Sequence, residues 1–125
     1  MFLILGNHDE KNIRQGYINK FEWVGYQMHI VIEGKSIYLN HFPFLAYGGS
    51  YRGQNSVWQL FGHVHSGKLV TKGQDLPRLS ILFPTQYDVG VDNNNYAPIS
   101  FQEVKKIIDK QQEQFNSVQN ELEKK

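Results

Sequence analysis

The chain of 125 residues carries five histidines, at positions 8, 29, 41, 63 and 65, and no cysteine. Disulfides and thiolate metal sites are therefore excluded, and any metal ion must be held by nitrogen and oxygen. Four of the histidines fall in three short clusters: Gly6-Asn7-His8-Asp9, Asn40-His41-Phe42-Pro43 and Gly62-His63-Val64-His65. Each cluster directly follows a strand-like run, namely Phe2–Leu5, Ser36–Asn40 and Val57–Phe61. The carboxyl ends of strands line the ligand crevice of open α/β sheets, and imidazole is a common ligand for zinc, manganese and iron. Alternating side chains in an extended segment share a side at every second residue. One ion, or two adjacent ions, can then be reached by His63 and His65. His29 differs, because it lies inside Met28-His29-Ile30-Val31-Ile32 and reads as a structural residue of a strand.

The elements that must position these clusters follow from periodicity and turn chemistry. Phe2–Leu5 is continuously apolar and ends at Gly6, which predicts a strand buried on both faces. Lys11–Lys20, with Ile13, Tyr17 and Ile18 on one face, predicts a short helix. Tyr26–Glu33 and Ser36–Asn40, joined at Gly34-Lys35, predict a hairpin. The stretch from Phe42 to Val57 contains Pro43, Gly48, Gly49, Ser50 and Gly53 and predicts a long loop, a kind that is often functional. Val57–Phe61, Lys68–Thr71 and Leu79–Phe83 predict strands, and Asp88–Asn95 is turn-rich. Ser100-Phe101-Gln102-Glu103 forms a capping box that opens a last helix. Its apolar face is Val104, Ile107, Ile108, Phe115, Val118 and Leu122, and its polar end, residues 111–125, is expected to fray.

Composition narrows the function classes. Thirteen Lys and Arg against twelve Asp and Glu leave a formal charge of +1, too small for the basic field of a sequence-independent nucleic-acid binder. An apolar fraction of 40% with 14% aromatic residues suits one folded domain. No run approaches the roughly 18 apolar residues of a membrane span. The apolar opening Met1–Leu5 is shorter than a secretory core and has no basic leader. A cytoplasmic location is the resulting expectation.

The three clusters, in this order, resemble the last three motifs of calcineurin-like metallophosphoesterases. The tail Tyr87-Asp88-Val89-Gly90-Val91-Asp92, then Tyr96-Ala97-Pro98-Ile99-Ser100, resembles small bacterial members in which it leads into a final helix. The resemblance covers residues 1–110. It implies an α/β (α+β) fold of β-sheet layers flanked by helices, with two divalent ions (Mn, Fe, Zn or similar) at the strand ends and a phosphomono- or phosphodiester as substrate. Transferred motif by motif, Asn7, His41 and His63 hold one ion and His65 the other. His8 is not a ligand but faces the substrate as a catalytic group. Asp9 supports the loop, and Arg52 or Tyr47 in the long loop could touch a phosphate.

Two earlier motifs of that family, Asp-x-His and Gly-Asp-x-x-Asp, do not occur in the chain. The physical consequence stands apart from any family. Asn7, His41, His63 and His65 are all neutral donors. Two dications about 3.5–4 Å apart repel by roughly 17–19 kcal/mol at an effective dielectric near 20, and carboxylates must offset this. Asp88 and Asp92 could do so only if the fold carried them to the site. The expectation is the C-terminal portion of a phosphoesterase domain, its N-terminal strand–helix units supplied by a further segment in cis or in trans. The competing expectation is a non-catalytic remnant that binds at most one ion. Other histidine hydrolases fit less well: the His-x-His-x-Asp-His run of metallo-β-lactamase-like chains fails at Ser66-Gly67, and amidohydrolases place His-x-His on an early strand.

Overall fold

Period-two alternation builds the first part of the larger sheet. The computed structural model describes residues 1–50, 57–64 and 76–124, and of residues 12, 13, 17, 18 and 76–78 the backbone only. Strand β3 (Gln27–Ile32) alternates exposed Gln27, His29 and Val31 with half-buried Met28, Ile30 and Ile32. It pairs antiparallel with β4 (Lys35–Asn40), with Ile30 opposite Ile37 and Ile32 opposite Lys35. The turn is Glu33-Gly34, one residue earlier than Gly34-Lys35. Both residues are left-handed, at φ 48° and 79°. A two-residue hairpin loop that matches the strand twist requires this at both positions, which leaves Lys35 to the ladder.

Beyond β4 the sheet becomes parallel. Strand β5 (Val57–Phe61) pairs with β4 and then with β6 (Gln86–Asp88), giving the order β3-β4-β5-β6. One face carries the core: Ile37 and Trp58 from the sheet pack on Val104 and Ile108 of helix α2 (Phe101–Glu123). Trp58 is fully buried and stacks against Phe101 at 5.5 Å. Loss of such a side chain typically costs about 3–5 kcal/mol. Ser100 caps α2, its hydroxyl accepting the Glu103 N–H at 3.2 Å. Gln111 Nε2 donates to the carbonyls of Pro84 and Gln86, at 2.8 and 3.1 Å. The outer edge of β6, otherwise a bare template for pairing, is thus met by Gln111 at Gln86 and by the side chains of Asn93 and Asn94 at the Asp88 carbonyl.

A second, two-stranded sheet joins β1 (Phe2–Ile4) in parallel to β2 (Trp23–Gly25). The connection contains a short helix α1 (Glu10–Arg14) and a 3-10 turn, Tyr17–Lys20. The single helix expected over 11–20 is interrupted because Gly16, at φ 82°, takes the left-handed conformation that ends helices.

Three further expectations are corrected. Leu79–Phe83 is not a strand: Leu76–Ile81 is a 3-10 helix, and the neighbour of β5 is the polar segment Gln86–Asp88. Apolar residues at 79, 82 and 83 are spaced for a helical turn, and a run this short does not separate the two periods. Strand β1 exists but is not buried on both faces, since Phe2 is 60% exposed; among the described residues only β2 pairs with it. The apolar face of α2 is buried only over its first turns. Phe115, Val118 and Leu122 are exposed, because the helix, about 34 Å long, outruns the sheet it packs on. The strand expected at Lys68–Thr71 lies outside the described residues. The fold is α+β, with a mixed four-stranded sheet, a two-stranded sheet and a C-terminal helix. Among the described residues no helix is long and apolar enough to cross a membrane.

Candidate metal centre

Three strand ends meet. After β1 the chain turns through Gly6-Asn7-His8-Asp9, and Asp9 closes that turn twice. Its N–H donates to the Gly6 carbonyl at 3.2 Å, and its carboxylate accepts the Gly6 N–H at 2.6 Å. Asn7 and His8 are left exposed at the tip. His41 follows β4 and lies against Gly6: a Cβ on Gly6 would stand 2.9 Å from Cε1 and Nδ1 of the ring. Glycine is required there because the backbone must come this close. The His41 carbonyl accepts the Gly62 N–H at 3.0 Å, tying the loop after β4 to the loop after β5.

His63 occupies an unusual backbone position. Its φ is +61°, and the Val64 N–H donates to the Gly62 carbonyl at 2.6 Å across it. This is a three-residue turn with its central residue in the left-handed region, an arrangement that is rare and strained. It directs the His63 ring toward His41 and Asn7.

The side chains converge on one another. His41 Nε2 is 2.9 Å from Asn7 Oδ1 and 3.2 Å from His63 Nδ1, and His63 Nδ1 is 3.3 Å from Asn7 Oδ1. No placement of protons satisfies all three edges. Each ring nitrogen carries at most one hydrogen and the amide oxygen none, so at least one edge sets two lone pairs or two N–H groups against each other. A cation shared by three lone pairs resolves this. Metal–ligand bonds of 2.0–2.2 Å imply donor–donor edges of about 2.9–3.5 Å across tetrahedral and octahedral geometries. The observed edges fit a nitrogen–oxygen ligand set of this kind.

Among the described residues no group of three or more His, Asp or Glu that could hold a metal ion is gathered. Asp88 is buried at the end of β6, where its carboxylate accepts the Gly90 N–H at 2.8 Å. His65 and Arg52 lie outside the described residues. Tyr47 does not stand at the triangle among the contacts it makes: its hydroxyl bonds Thr85, and its ring packs on Tyr38, Phe44 and Phe83. Burial raises its pKa, and the Thr85 hydrogen bond offsets part of that rise. His29 bonds Ser36 and stacks flat on Tyr38 at 4.4 Å, a satisfied residue of the sheet.

Two participants escape a reading of the sequence. Phe42 packs on both candidate ligand rings, 5.0 Å from His41 and 4.7 Å from His63; its place directly after His41 is the signal that could have found it. A buried amide pair fixes the loop that carries it. Gln86 Nε2 donates to Gln59 Oε1 at 3.0 Å and to the Phe44 carbonyl at 2.8 Å, while Gln59 accepts the Phe44 N–H at 3.2 Å and donates to the Phe42 carbonyl at 3.3 Å. Nothing in the spacing of Gln59 and Gln86 announces this.

No protein-family model matches the chain. No curated protein matches it either. Among solved structures it is similar to the crystal structure of AQ665 from Aquifex aeolicus, a protein of unknown function, at 25% sequence identity and a TM-score of 0.57. The match covers 85% of this chain and 60% of that one, so the chain spans less than two thirds of that neighbour's length.

Proposed function

We propose that the chain is part of a metal-dependent phosphoesterase of the calcineurin-like type, with sheet layers that present a two-metal centre at their strand ends. The observation that carries this is the convergence of Asn7 Oδ1, His41 Nε2 and His63 Nδ1 within 3.3 Å of one another. They come from three motifs that stand in the family's order. Asn7, His41 and His63 would hold one ion, and His65 would hold the other. When bound, such ions supply Lewis-acid polarisation of the phosphoryl oxygens and lower the pKa of an attacking water. Asp9 keeps the Gly6–Asp9 turn closed, so that Asn7 keeps its aim. His8, exposed beside Asn7, would hold a proton for the departing oxygen. Because Asn7, His41 and His63 are neutral donors, acidic ligands would have to join them, and on this reading a further segment, joined to this chain or on a second one, supplies them.

That same neutrality favours a second reading, in which these residues bind a single ion and turn nothing over. One comparison separates the two. Hydrolysis of bis-p-nitrophenyl phosphate with Mn²⁺ is measured for the 125-residue chain and for a version supplemented with a segment carrying Asp-x-His and Gly-Asp-x-x-Asp. The phosphoesterase reading expects metal-dependent turnover in the supplemented protein, lost in His63→Ala. Absence of turnover in a folded, metal-loaded supplemented protein refutes it.

A further inference from the structure

The His63 ring has two sides. One edge faces the triangle, and the ring also lines a cavity of about 370 Å³ between the loop after β4 and the segment before β6. Among the described residues the rest of that lining is apolar, chiefly Phe42, Phe44, Leu45, Leu79 and Leu82. Phe42 connects the two places, since it packs on both ligand rings and is also part of the cavity wall. Several of these apolar side chains stay open to solvent: Phe42 is 44% exposed, Leu45 78% and Ile81 64%. Exposed apolar groups beside a polar centre are the usual make-up of a ligand pocket, and this volume is at the small end of the range for such pockets.

The wall is also pre-formed. Both backbone groups of Phe44 and the carbonyl of Phe42 are bonded by the buried Gln59–Gln86 pair. A wall that need not be ordered on binding saves that cost.

Resting on the phosphoesterase reading, we infer that this cavity receives the leaving group of the substrate, and that the leaving group is aromatic or similarly flat and apolar. A phosphoryl group at the Asn7–His41–His63 triangle would have Phe42, which packs on both histidine rings, as the apolar neighbour of its ester substituent. The volume admits a single substituted ring. Among the described lining residues a sugar or a second phosphate would meet no hydrogen-bonding side chain except His63 itself.

The test uses the intact chain with Zn²⁺ and two non-hydrolysable probes, phenylphosphonate and methylphosphonate, titrated by calorimetry and by backbone amide shifts. Expected are at least about tenfold tighter binding of the phenyl probe and shifts at 42–45 and 79–82. Ile81→Asp, at an exposed position that tolerates charge, and Leu82→Ala should each reduce the preference to less than about twofold, with Zn²⁺ affinity unchanged. Equal affinity for the two probes, or a phenyl preference that survives both substitutions, overturns the inference while leaving the metal centre standing. Failure of Zn²⁺ to bind, or binding unaltered in the His41→Ala and His63→Ala variants, removes the metal reading and the inference with it.

Discussion

The backbone of Gly6 is the seat of the His41 ring: a methyl group at Gly6 would lie 2.9 Å from two of its atoms. Gly6→Ala therefore cannot be accommodated unless the ring moves, and the ring sits in the triangle. The expected result is a loss of Zn²⁺ affinity of about 10–100-fold, the usual effect of disturbing a ligand's support. Overpacking should also cost about 1–3 kcal/mol of stability. Competition against a chromophoric chelator and a urea titration measure the two effects.

Ligand substitutions should separate the histidines by role. Asn7→Ala, His41→Ala and His63→Ala should each abolish the rise in melting temperature that excess Zn²⁺ produces in the parent chain. An ion that binds only the folded state stabilises by about 2.7 kcal/mol at a concentration one hundred times its dissociation constant. His29→Ala should keep that rise in full, since His29 is engaged by Ser36 and Tyr38. A folded His29→Ala protein without a Zn²⁺ response would show that His29 had been misassigned.

The buried amide pair carries its own prediction. Gln59→Leu removes the acceptor of the Phe44 N–H and one partner of the Gln86 amide. Buried groups left without partners cost about 1–3 kcal/mol each. The variant should unfold at clearly lower urea, and the amide protons of residues 42–45 should exchange faster. Unchanged exchange there would mean that the loop is held by something else.

Alkaline pH should weaken the fold partly through Tyr47. Burial raises its pKa in the folded state above the ordinary value of 10.0. Below pH 10 both folded and unfolded chains keep the phenolic proton, and the full contribution is present. As pH rises past 10 the unfolded chain ionises first, so stability falls until the folded phenol ionises too. Tyr87, raised by burial and by the charge of Asp88, adds in the same direction. Tyr47→Phe should therefore lose less stability than the parent between about pH 8 and about pH 11. Urea midpoints at the two pH values decide this, and equal losses would rule it out.

Local signals were legible where one physical rule dominates. The alternation of Gln27–Ile32, the apolar run of Val57–Phe61 and the Ser100 cap each translate directly into an element. The failures sit where tertiary context decides. Gln86–Asp88 reads as polar, yet it forms a buried strand because Gln59, Phe44 and Phe83 satisfy the Gln86 side chain. Leu79–Phe83 reads as a strand, yet it lies mostly in a 3-10 turn that lines a cavity. At the site, residue types and strand-end positions nominate His41 and His63, whereas Asn7 enters only through the resemblance to the phosphoesterase motifs. Their meeting is not legible, because the three are separated by 34 and 22 residues and only the folded sheets close those distances.

The tight turn at His63 has a consequence for anyone improving this protein by selection. A side chain held at a φ of +61° costs folding free energy of order 1–3 kcal/mol that glycine would not, and that asparagine would bear more easily. A library ranked only by thermal tolerance should thus drift toward Gly or Asn at position 63. Each apparent gain would discard one corner of the triangle. Such a screen selects against the site it is meant to preserve unless retention of Zn²⁺ is scored in the same round.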